Sequence, residues 1–250
     1  MVSVACGSRS DIGHVREHNE DNLVIGRRLW AVADGMGGHA AGDVASALVI
    51  AGLRTLDAHD ELRAADVVAA LQEVNRAILA HGEEHPEARG LGSTVTGLAA
   101  VTIGGVPHAA VFNVGDSRVY RWAGGVLSRA TVDHSEAEEL VLEGVITADQ
   151  ARTHRSRNIV TRSLGQPHPM QVDLWVLPLT AGERFVLCSD GLSGELTDEA
   201  IADLVRANPD PQAAADALVE AALAAGGRDN VTVVMVDLDD AGADQTEAPA

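Results

Sequence analysis

The chain alternates between short apolar runs and longer segments whose apolar residues recur at helical spacing. Residues 41–56 and 64–83 each place apolar side chains three and four positions apart, which is typical of helices buried along one face. Because these two segments are adjacent in sequence, we expect them to pack as an antiparallel pair. Before them, β-branched runs bounded by turn residues predict strands at residues 2–8, 23–25 and 29–33.

Four further strand-like runs follow Gly92. They cover residues 95–103, 107–114, 118–122 and 126–129. Glycine pairs at positions 104–105 and 124–125 separate the members of each successive pair of runs, and paired glycines are typical of hairpin turns. This spacing predicts an antiparallel meander.

An irregular polar segment, residues 133–163, comes next and has helical fragments at 136–143 and 148–154. The later elements are strands at residues 171–176 and 184–188, helices at 198–207 and 211–225, and an almost continuously apolar, buried strand at 231–238. Residues 239–250 are polar and are predicted to be a disordered tail. Strands and helices grouped in blocks predict an α+β fold, with antiparallel sheets between helices and residues 1–238 as one domain.

The composition disfavours several classes of protein. The chain has 37 Asp and Glu residues against 18 Lys and Arg, a formal net charge of −19, so binding to nucleic acid or to anionic lipid is disfavoured. No apolar stretch is long enough to cross a bilayer. Only Cys6 and Cys188 could form a disulfide, so free thiols are expected. The first residues lack the basic and apolar regions of a secretory signal, and we expect a cytoplasmic location.

Candidate chemistry lies in acidic residues at the ends of hydrophobic runs. Five such positions stand out: Asp34, Asp116, Asp190, Asp229 and the pair Glu20-Asp21. Asp-Gly is the commonest turn dipeptide, so a tight turn explains Asp190-Gly191 taken singly. A turn does not explain why so many acids adjoin buried strands, where each is costly unless paired or metal-bound. Hard divalent cations prefer such oxygen ligands from several chain segments, so the sequence favours a metal site.

Seven motifs carry a resemblance to a known family. They are VREHNED at residues 15–21, ADGMGGH at 33–39, GST at 92–94, NVGDSR at 113–118, VDHS at 132–135, CSDGL at 188–192 and RDNVT at 228–232. In number, order and spacing, these motifs resemble the bacterial branch of the metal-dependent protein phosphatases of type 2C, over nearly the whole chain. The resemblance implies a central sandwich of two antiparallel sheets with a pair of helices on each outer face.

The resemblance also implies a binuclear Mn²⁺ or Mg²⁺ centre at one end of that sandwich. Asp34 would bridge the two cations, and the backbone carbonyl of Gly35 would bind one of them. Asp190 and Asp229 would bind the other. A third, weaker metal site is usual in the bacterial branch, and Asp116 together with Asp190 would form it here.

Further positions would act on water, phosphate or the leaving group. Glu20 and Asp21 would hold metal-bound waters, and Arg16 would grip the substrate phosphate through two guanidinium nitrogens. Many eukaryotic members have His directly after the Asp-Gly pair as the proposed general acid, whereas this chain has Met36 there. His39 could act in its place, although a lone histidine at the start of a helix is more often structural.

These features imply a phosphatase that hydrolyses phosphoserine and phosphothreonine in proteins. A hydroxide bridging two cations would attack phosphorus directly, so no covalent phosphoenzyme would form. Residues 133–163 match the family's flap beside the active site, and His134 within them is either another candidate acid or a structural residue. Two alternatives stay open: a catalytically silent module that binds phosphoproteins, and a phosphatase of small phosphoesters.

The partners implied are phosphorylated proteins that a serine/threonine kinase modifies. We expect no binding to nucleic acid, a monomeric chain and no membrane attachment through the residues present. Related bacterial proteins can continue into a spanning helix, so an anchor elsewhere in the native protein stays open.

Overall fold

Eleven β-strands and seven α-helices make up the part of the chain that the structure, a computed structural model, describes: residues 2–37, 41–167 and 170–240. The strands are Val2–Asp11 (β1), Asp21–Ile25 (β2), Leu29–Met36 (β3), Gly92–Ser93 (β4), Val95–Ile103 (β5), Val106–Val114 (β6), Arg118–Ala123 (β7), Val126–Arg129 (β8), Asp173–Pro178 (β9), Glu183–Cys188 (β10) and Val231–Asp240 (β11). The helices are Ala41–Asp57 (α1), Ala64–Glu84 (α2), Glu136–Leu142 (α3), Ala148–Ala151 (α4), Asp190–Ser193 (α5), Asp198–Ala207 (α6) and Pro211–Ala225 (α7).

The strands form two antiparallel sheets that pack face to face. One sheet has the order β1-β11-β10-β7-β8, and the other has the order β2-β3-β5-β6-β9 with the short β4 beside the end of β3. Apolar side chains from both sheets, among them Trp30, Val111, Phe185 and Val234, fill the space between them. The predicted sandwich of antiparallel sheets is confirmed.

A pair of helices covers the outer face of each sheet. α1 and α2 pack on each other and against the β2–β3 side of their sheet, through a buried cluster that includes Leu53 and Leu71. α6 and α7 cover the other sheet with Ile201 and Leu218. The layers are therefore helix, sheet, sheet and helix, as predicted. Among the described residues, no helix has both the length and the apolar composition needed to cross a bilayer.

The predicted meander over residues 95–129 is wrong. β5 and β6 form a hairpin in one sheet, whereas β7 and β8 form a hairpin in the other. The chain crosses between the sheets just after Gly115, whose φ of 114° lies in the left-handed region. A Cβ at this position would also lie 2.6 Å from side-chain carbons of Thr94. Alternating apolar residues identify each hairpin, but they do not identify the sheet that it joins.

Several element boundaries differ from the prediction. β1 ends at Asp11 and not at residue 8, β3 ends at Met36 and not at residue 33, and β9 covers Asp173–Pro178 and not residues 171–176. The second helical fragment of the polar segment ends at Ala151, three residues before the predicted end at 154. β11 continues two residues beyond its predicted end because Asp239 and Asp240 pair with Ser3 and Val2 of β1. The remainder of the predicted tail, residues 241–250, lies outside the described residues.

The first testable prediction concerns packing inside the β5–β6 hairpin. Gly97 pairs with Phe112, and a Cβ at position 97 would lie 2.2 Å from the buried Phe112 ring. We expect Gly97→Ala to lower the free energy of unfolding by about 1–3 kcal/mol, the usual cost of overpacking a core, in urea titrations. Phe112→Leu should remove most of this added cost when the two substitutions are combined. Strictly additive costs would show that the ring is not the cause.

Candidate metal centre

Five aspartates from both sheets lie together at one end of the sandwich. Asp21 begins β2 and pairs in register with Asp34 near the end of β3. Asp190 begins α5 directly after β10, Asp116 follows β6, and Asp229 precedes β11. The charges of the other four aspartates all raise the pKa of Asp34, which shows how closely they surround it. The structure thus brings together all five aspartates that the sequence singles out.

Removal from water and mutual repulsion disfavour the ionised form of four of these carboxylates. The pKa values of Asp34 and Asp116 lie well above the ordinary range, first because the surrounding protein excludes water and then because other aspartates repel their charge. The same causes raise the pKa of Asp21 to about 7 and that of Asp190 to about 6. A bound cation offsets the repulsion and replaces lost solvation, so the cluster is suited to binding positive charge.

The donor set fits a hard divalent cation. Asp21 Oδ1 is buried without a hydrogen-bond partner, whereas Asp21 Oδ2 accepts a 2.7 Å hydrogen bond from the Ser189 hydroxyl. The backbone of Gly35 lies close to the backbone of Gly42, because a Cβ on Gly35 would lie 2.0 Å from the Gly42 carbonyl oxygen. Within residues 2–37, 41–167 and 170–239, no three His, Cys, Asp or Glu side chains form a ready-made metal site. A cation here therefore needs backbone carbonyl or water ligands and small side-chain movements in addition to the carboxylates.

Arg16 forms a salt bridge with one of the clustered aspartates. Its Nη2 donates a 2.7 Å hydrogen bond to Asp229 Oδ2, and the other carboxylate oxygen of Asp229 accepts from the backbone N–H of Asn230 at 2.9 Å. The charges of Asp34 and Asp190 also raise the pKa of Arg16, after the effect of its bond to Asp229. The guanidinium therefore lies at the cluster, and it is half-exposed.

Asn230 fixes the loop that carries Arg16. This buried side chain donates from Nδ2 to the carbonyl oxygens of Ile12 (3.0 Å) and His18 (2.9 Å), and its Oδ1 accepts from the Glu20 N–H at 2.8 Å. The loop at residues 12–20 is thereby attached to the segment that carries Asp229. The sequence analysis missed this role, although a polar amide directly before a buried apolar strand was a signal for it.

His134 is structural in this arrangement. Its Nδ1 accepts the Gly115 N–H at 2.9 Å, and its Nε2 lies 3.2 Å from Asp173 Oδ2, to which it donates. Arg162 binds the other oxygen of Asp173 at 2.6 Å. Burial lowers the pKa of His134, so the ring is neutral with both nitrogens engaged. It therefore ties the two ends of the flap to the turn before Asp116 and has no nitrogen free to protonate a leaving group.

The other residues considered in the sequence analysis are placed as follows. Met36 ends β3 and pairs with Gly92 of β4, whereas His39 lies outside the described residues. Cys6 and Cys188 are free thiols. Burial raises the pKa of Cys188 to about 12, which makes it an inert core residue and not a nucleophile.

A cavity of about 430 Å³ opens beside the cluster, between the flap and the segment containing α5 and α6. Asp116 and Asp190 belong to its wall, so it is continuous with the candidate centre. Arg118 binds Asp133 through two nitrogens, at 3.0 and 2.6 Å, at the base of the flap. We call this space the flap cavity.

Comparisons with known proteins agree with this geometry. The family model described as Protein phosphatase 2C matches residues 14–225. The chain is 42% identical over 244 residues to the serine/threonine protein phosphatase PstP of Mycobacterium tuberculosis, covering 96% of this chain and 46% of PstP. It therefore spans about half the length of that relative. The serine/threonine phosphatase stp of Listeria monocytogenes is 35% identical over 244 residues, with 92% of this chain and 94% of that protein covered.

A solved structure extends the similarity to the fold. The catalytic domain of PstP in complex with two manganese ions superposes with a TM-score of 0.86 at 39% identity, covering 96% of this chain and all (100%) of that one. Sequence, fold and the placement of the acidic residues thus lead to one conclusion. The chain belongs to the protein phosphatase 2C family and is similar to its bacterial serine/threonine phosphatases.

Proposed function

We propose that this chain is a metal-dependent phosphatase that hydrolyses phosphoserine and phosphothreonine in proteins. The observation that carries the proposal is the cluster of five aspartates with Arg16 beside it, because this pairing places cation ligands and a phosphate-binding group in one site. The names of the bacterial relatives support the same activity. Residues 1–238, with β11 continuing to Asp240, would act as one catalytic domain that includes the flap.

The proposed ligand assignment is the one that the family resemblance implies. Asp34, the Gly35 carbonyl, Asp190 and Asp229 would hold two Mn²⁺ or Mg²⁺ ions, and Asp116 with Asp190 would hold a third. Glu20 and Asp21 would act through water; the unpartnered, buried Asp21 Oδ1 supports this for Asp21. When bound, such cations supply a nucleophilic water at neutral pH and stabilise negative charge on the phosphoryl group.

The chain's own residues would bind and orient the substrate. Arg16 exchanges its bond to Asp229 for two bonds to phosphate oxygens, since its planar guanidinium matches a pair of such oxygens. Asn230 keeps the Arg16 loop in position for this exchange. The proton that the leaving alkoxide needs has no assigned donor among the described side chains, because both ring nitrogens of His134 are engaged.

The proposal extends to the substrates, the oligomeric state and the cellular compartment. The substrates would be proteins phosphorylated by a serine/threonine kinase, and the domain would act as a monomer. Two free thiols agree with a reducing compartment, so we propose the cytoplasm for this domain.

The activity is tested by phosphate release from a phosphothreonine peptide, with Mn²⁺ supplied and then chelated. We expect release only with Mn²⁺, and Asp190→Asn should reduce it at least about 1,000-fold while weakening Mn²⁺ binding in calorimetry. The metal-free variant should unfold at the same or a higher temperature, because a neutral amide removes a repelled carboxylate.

Three results would contradict this assignment. Full turnover by Asp190→Asn would show that Asp190 is not a metal ligand. Absence of release from several phosphopeptides, despite measured Mn²⁺ binding, would favour the silent binding module. Release from small phosphoesters at the same kcat/KM as from peptides would favour a small-ester phosphatase.

The Arg16–Asp229 pair predicts opposite effects on substrate and metal. Arg16→Ala should lower kcat/KM by about 10-fold or more because a charge-assisted contact to phosphate is lost. The same change should tighten Mn²⁺ binding, because Asp229 loses its competing cation. Arg16→Lys keeps the charge and should recover the wild-type Mn²⁺ affinity, but not the phosphate contact through two nitrogens. Weaker Mn²⁺ binding by Arg16→Ala would contradict this role.

The raised carboxyl pKa values predict how stability depends on pH. The folded chain binds more protons than the unfolded chain between about pH 4 and the folded pKa values of about 6 for Asp190 and about 7 for Asp21. These groups therefore make the metal-free protein less stable as pH rises through this range. We expect the increase in Tm on adding Mn²⁺ to be larger at pH 7.5 than at pH 5, by calorimetry. An increase that does not depend on pH would refute the prediction.

A further inference from the structure

An arginine-rich segment follows α4 in an otherwise strongly acidic chain. Residues 150–172 contain Arg152, Arg155, Arg157 and Arg162 and no Asp or Glu, whereas the whole chain carries a net charge of −19. The segment forms the second half of the flap and the connection to β9. Positive charge is thus concentrated on one side of the flap.

Most arginines of this chain are already paired, but those of the arginine-rich segment mostly are not. Within the described residues, twelve of the eighteen arginines lie within 4.0 Å of a carboxylate. Arg162 is among the twelve because it binds Asp173. Arg152, Arg155 and Arg157 are exposed, and none of them has a carboxylate that close in the part of the chain that the structure describes. Their charge is available to a ligand.

Two of these arginines face the candidate centre. Arg152 and Arg157 line the flap cavity, whose wall also includes Asp116 and Asp190. Arg152 Nη2 donates a 3.0 Å hydrogen bond to the Leu196 carbonyl oxygen, which holds its guanidinium against the segment that follows α5. A peptide whose phosphorylated residue lies at the aspartate cluster therefore has its neighbouring residues beside these two side chains.

Part of the acidic charge of the cavity wall is paired within the protein. Asp133 and Glu138 are bound by Arg118 and Arg129, and Asp198 accepts a 2.9 Å hydrogen bond from the Tyr120 hydroxyl. Four acids of the wall remain: Asp116 and Asp190 belong to the candidate centre, where a cation would offset their charge, and the two exposed acids are at positions 149 and 199. The latter accepts hydrogen bonds at the start of α6, which lower its pKa. The carboxylates bound by arginine are thus satisfied within the protein. The charge of Arg152 further lowers the pKa of Glu199. Hydrogen bonds from Arg228 lower the pKa of Glu195, and the charge of Arg157 lowers it further. Neither Arg152 nor Arg157 forms a salt bridge within 4.0 Å among the described residues.

We propose that Arg152 and Arg157 bind a second anionic side chain of the substrate, either a phosphorylated residue or an aspartate or glutamate close to the target phosphothreonine. This inference rests on the proposed phosphatase function and names the class of phosphoprotein that the site prefers. Guanidinium groups bind phosphate and carboxylate oxygens in pairs, and the partly enclosed cavity limits screening by salt.

The test compares three peptides of one sequence. Each carries the same target phosphothreonine, and a nearby position is alanine, aspartate or a second phosphothreonine. The measured quantity is kcat/KM for each anionic peptide divided by kcat/KM for the alanine peptide, with Mn²⁺ and at low salt. The enzymes are wild type, Arg152→Gln/Arg157→Gln and the control Arg54→Gln/Arg89→Gln, whose exposed arginines lie outside the cavity wall and also lack a paired carboxylate within the described residues.

We expect wild type to prefer an anionic peptide by about tenfold, the size of one charge-assisted contact. Arg152→Gln/Arg157→Gln should reduce this ratio to near one, whereas the control, with the same change in net charge, should keep it. Preference for both anionic peptides would identify charge as the feature bound, and preference for the doubly phosphorylated peptide alone would identify phosphate. A ratio near one in wild type, or an equal loss in the control, would overturn the inference. Absence of Mn²⁺-dependent release from the alanine peptide would instead overturn the proposed function, and the inference with it.

Discussion

The concentration of carboxylates at one end of the sandwich is the constraint on which the rest of the structure depends. Four of the aspartates there are costly to ionise, because they are removed from water and because their neighbours carry the same charge. Arg16 and the Ser189 hydroxyl compensate only part of this cost. The remaining cost must be met by the rigidity of two packed sheets, which prevents the aspartates from moving apart. The same unfavourable arrangement is the source of affinity for a cation, so binding and strain have one physical origin.

The two sheets contribute different parts of the site. Asp21 and Asp34 come from strands of one sheet, whereas Asp190 and Asp229 flank strands of the other. Asp116 lies where the chain passes from one sheet to the other. Relative displacement of the sheets would therefore separate the aspartates, and the apolar layer between the sheets holds the site together as much as any polar contact does. The flap is attached to this rigid body at its base through Arg118 and His134, while its arginine-rich side faces the cavity.

Much of this could be predicted from residue patterns. The long amphipathic helices, the buried last strand and the acids at strand ends depend on local periodicity, and they lie where the patterns placed them. The sheet that the β7–β8 hairpin joins was mispredicted, because pairing between distant strands leaves no local signal. The hydrogen-bond partners of Asn230 and His134 could not be predicted, since they include backbone atoms of distant segments that only the folded chain brings near. The roles of individual metal ligands came from the family resemblance, and they remain proposals.

The pairing of β1 with β11 has a consequence for the synthesis of the chain. These strands join residues 2–11 to residues 231–240, so β1 has no partner in its sheet until residues 231–240 have left the ribosome. Asp229 and Asn230, which complete the aspartate cluster and fix the Arg16 loop, emerge at the same late moment. During translation, the early segments therefore carry unpaired acids and an unpaired strand edge. Such an edge can bind chaperones, and it can also pair with other chains and aggregate. Cation binding can stabilise this domain only after its last strand has been made.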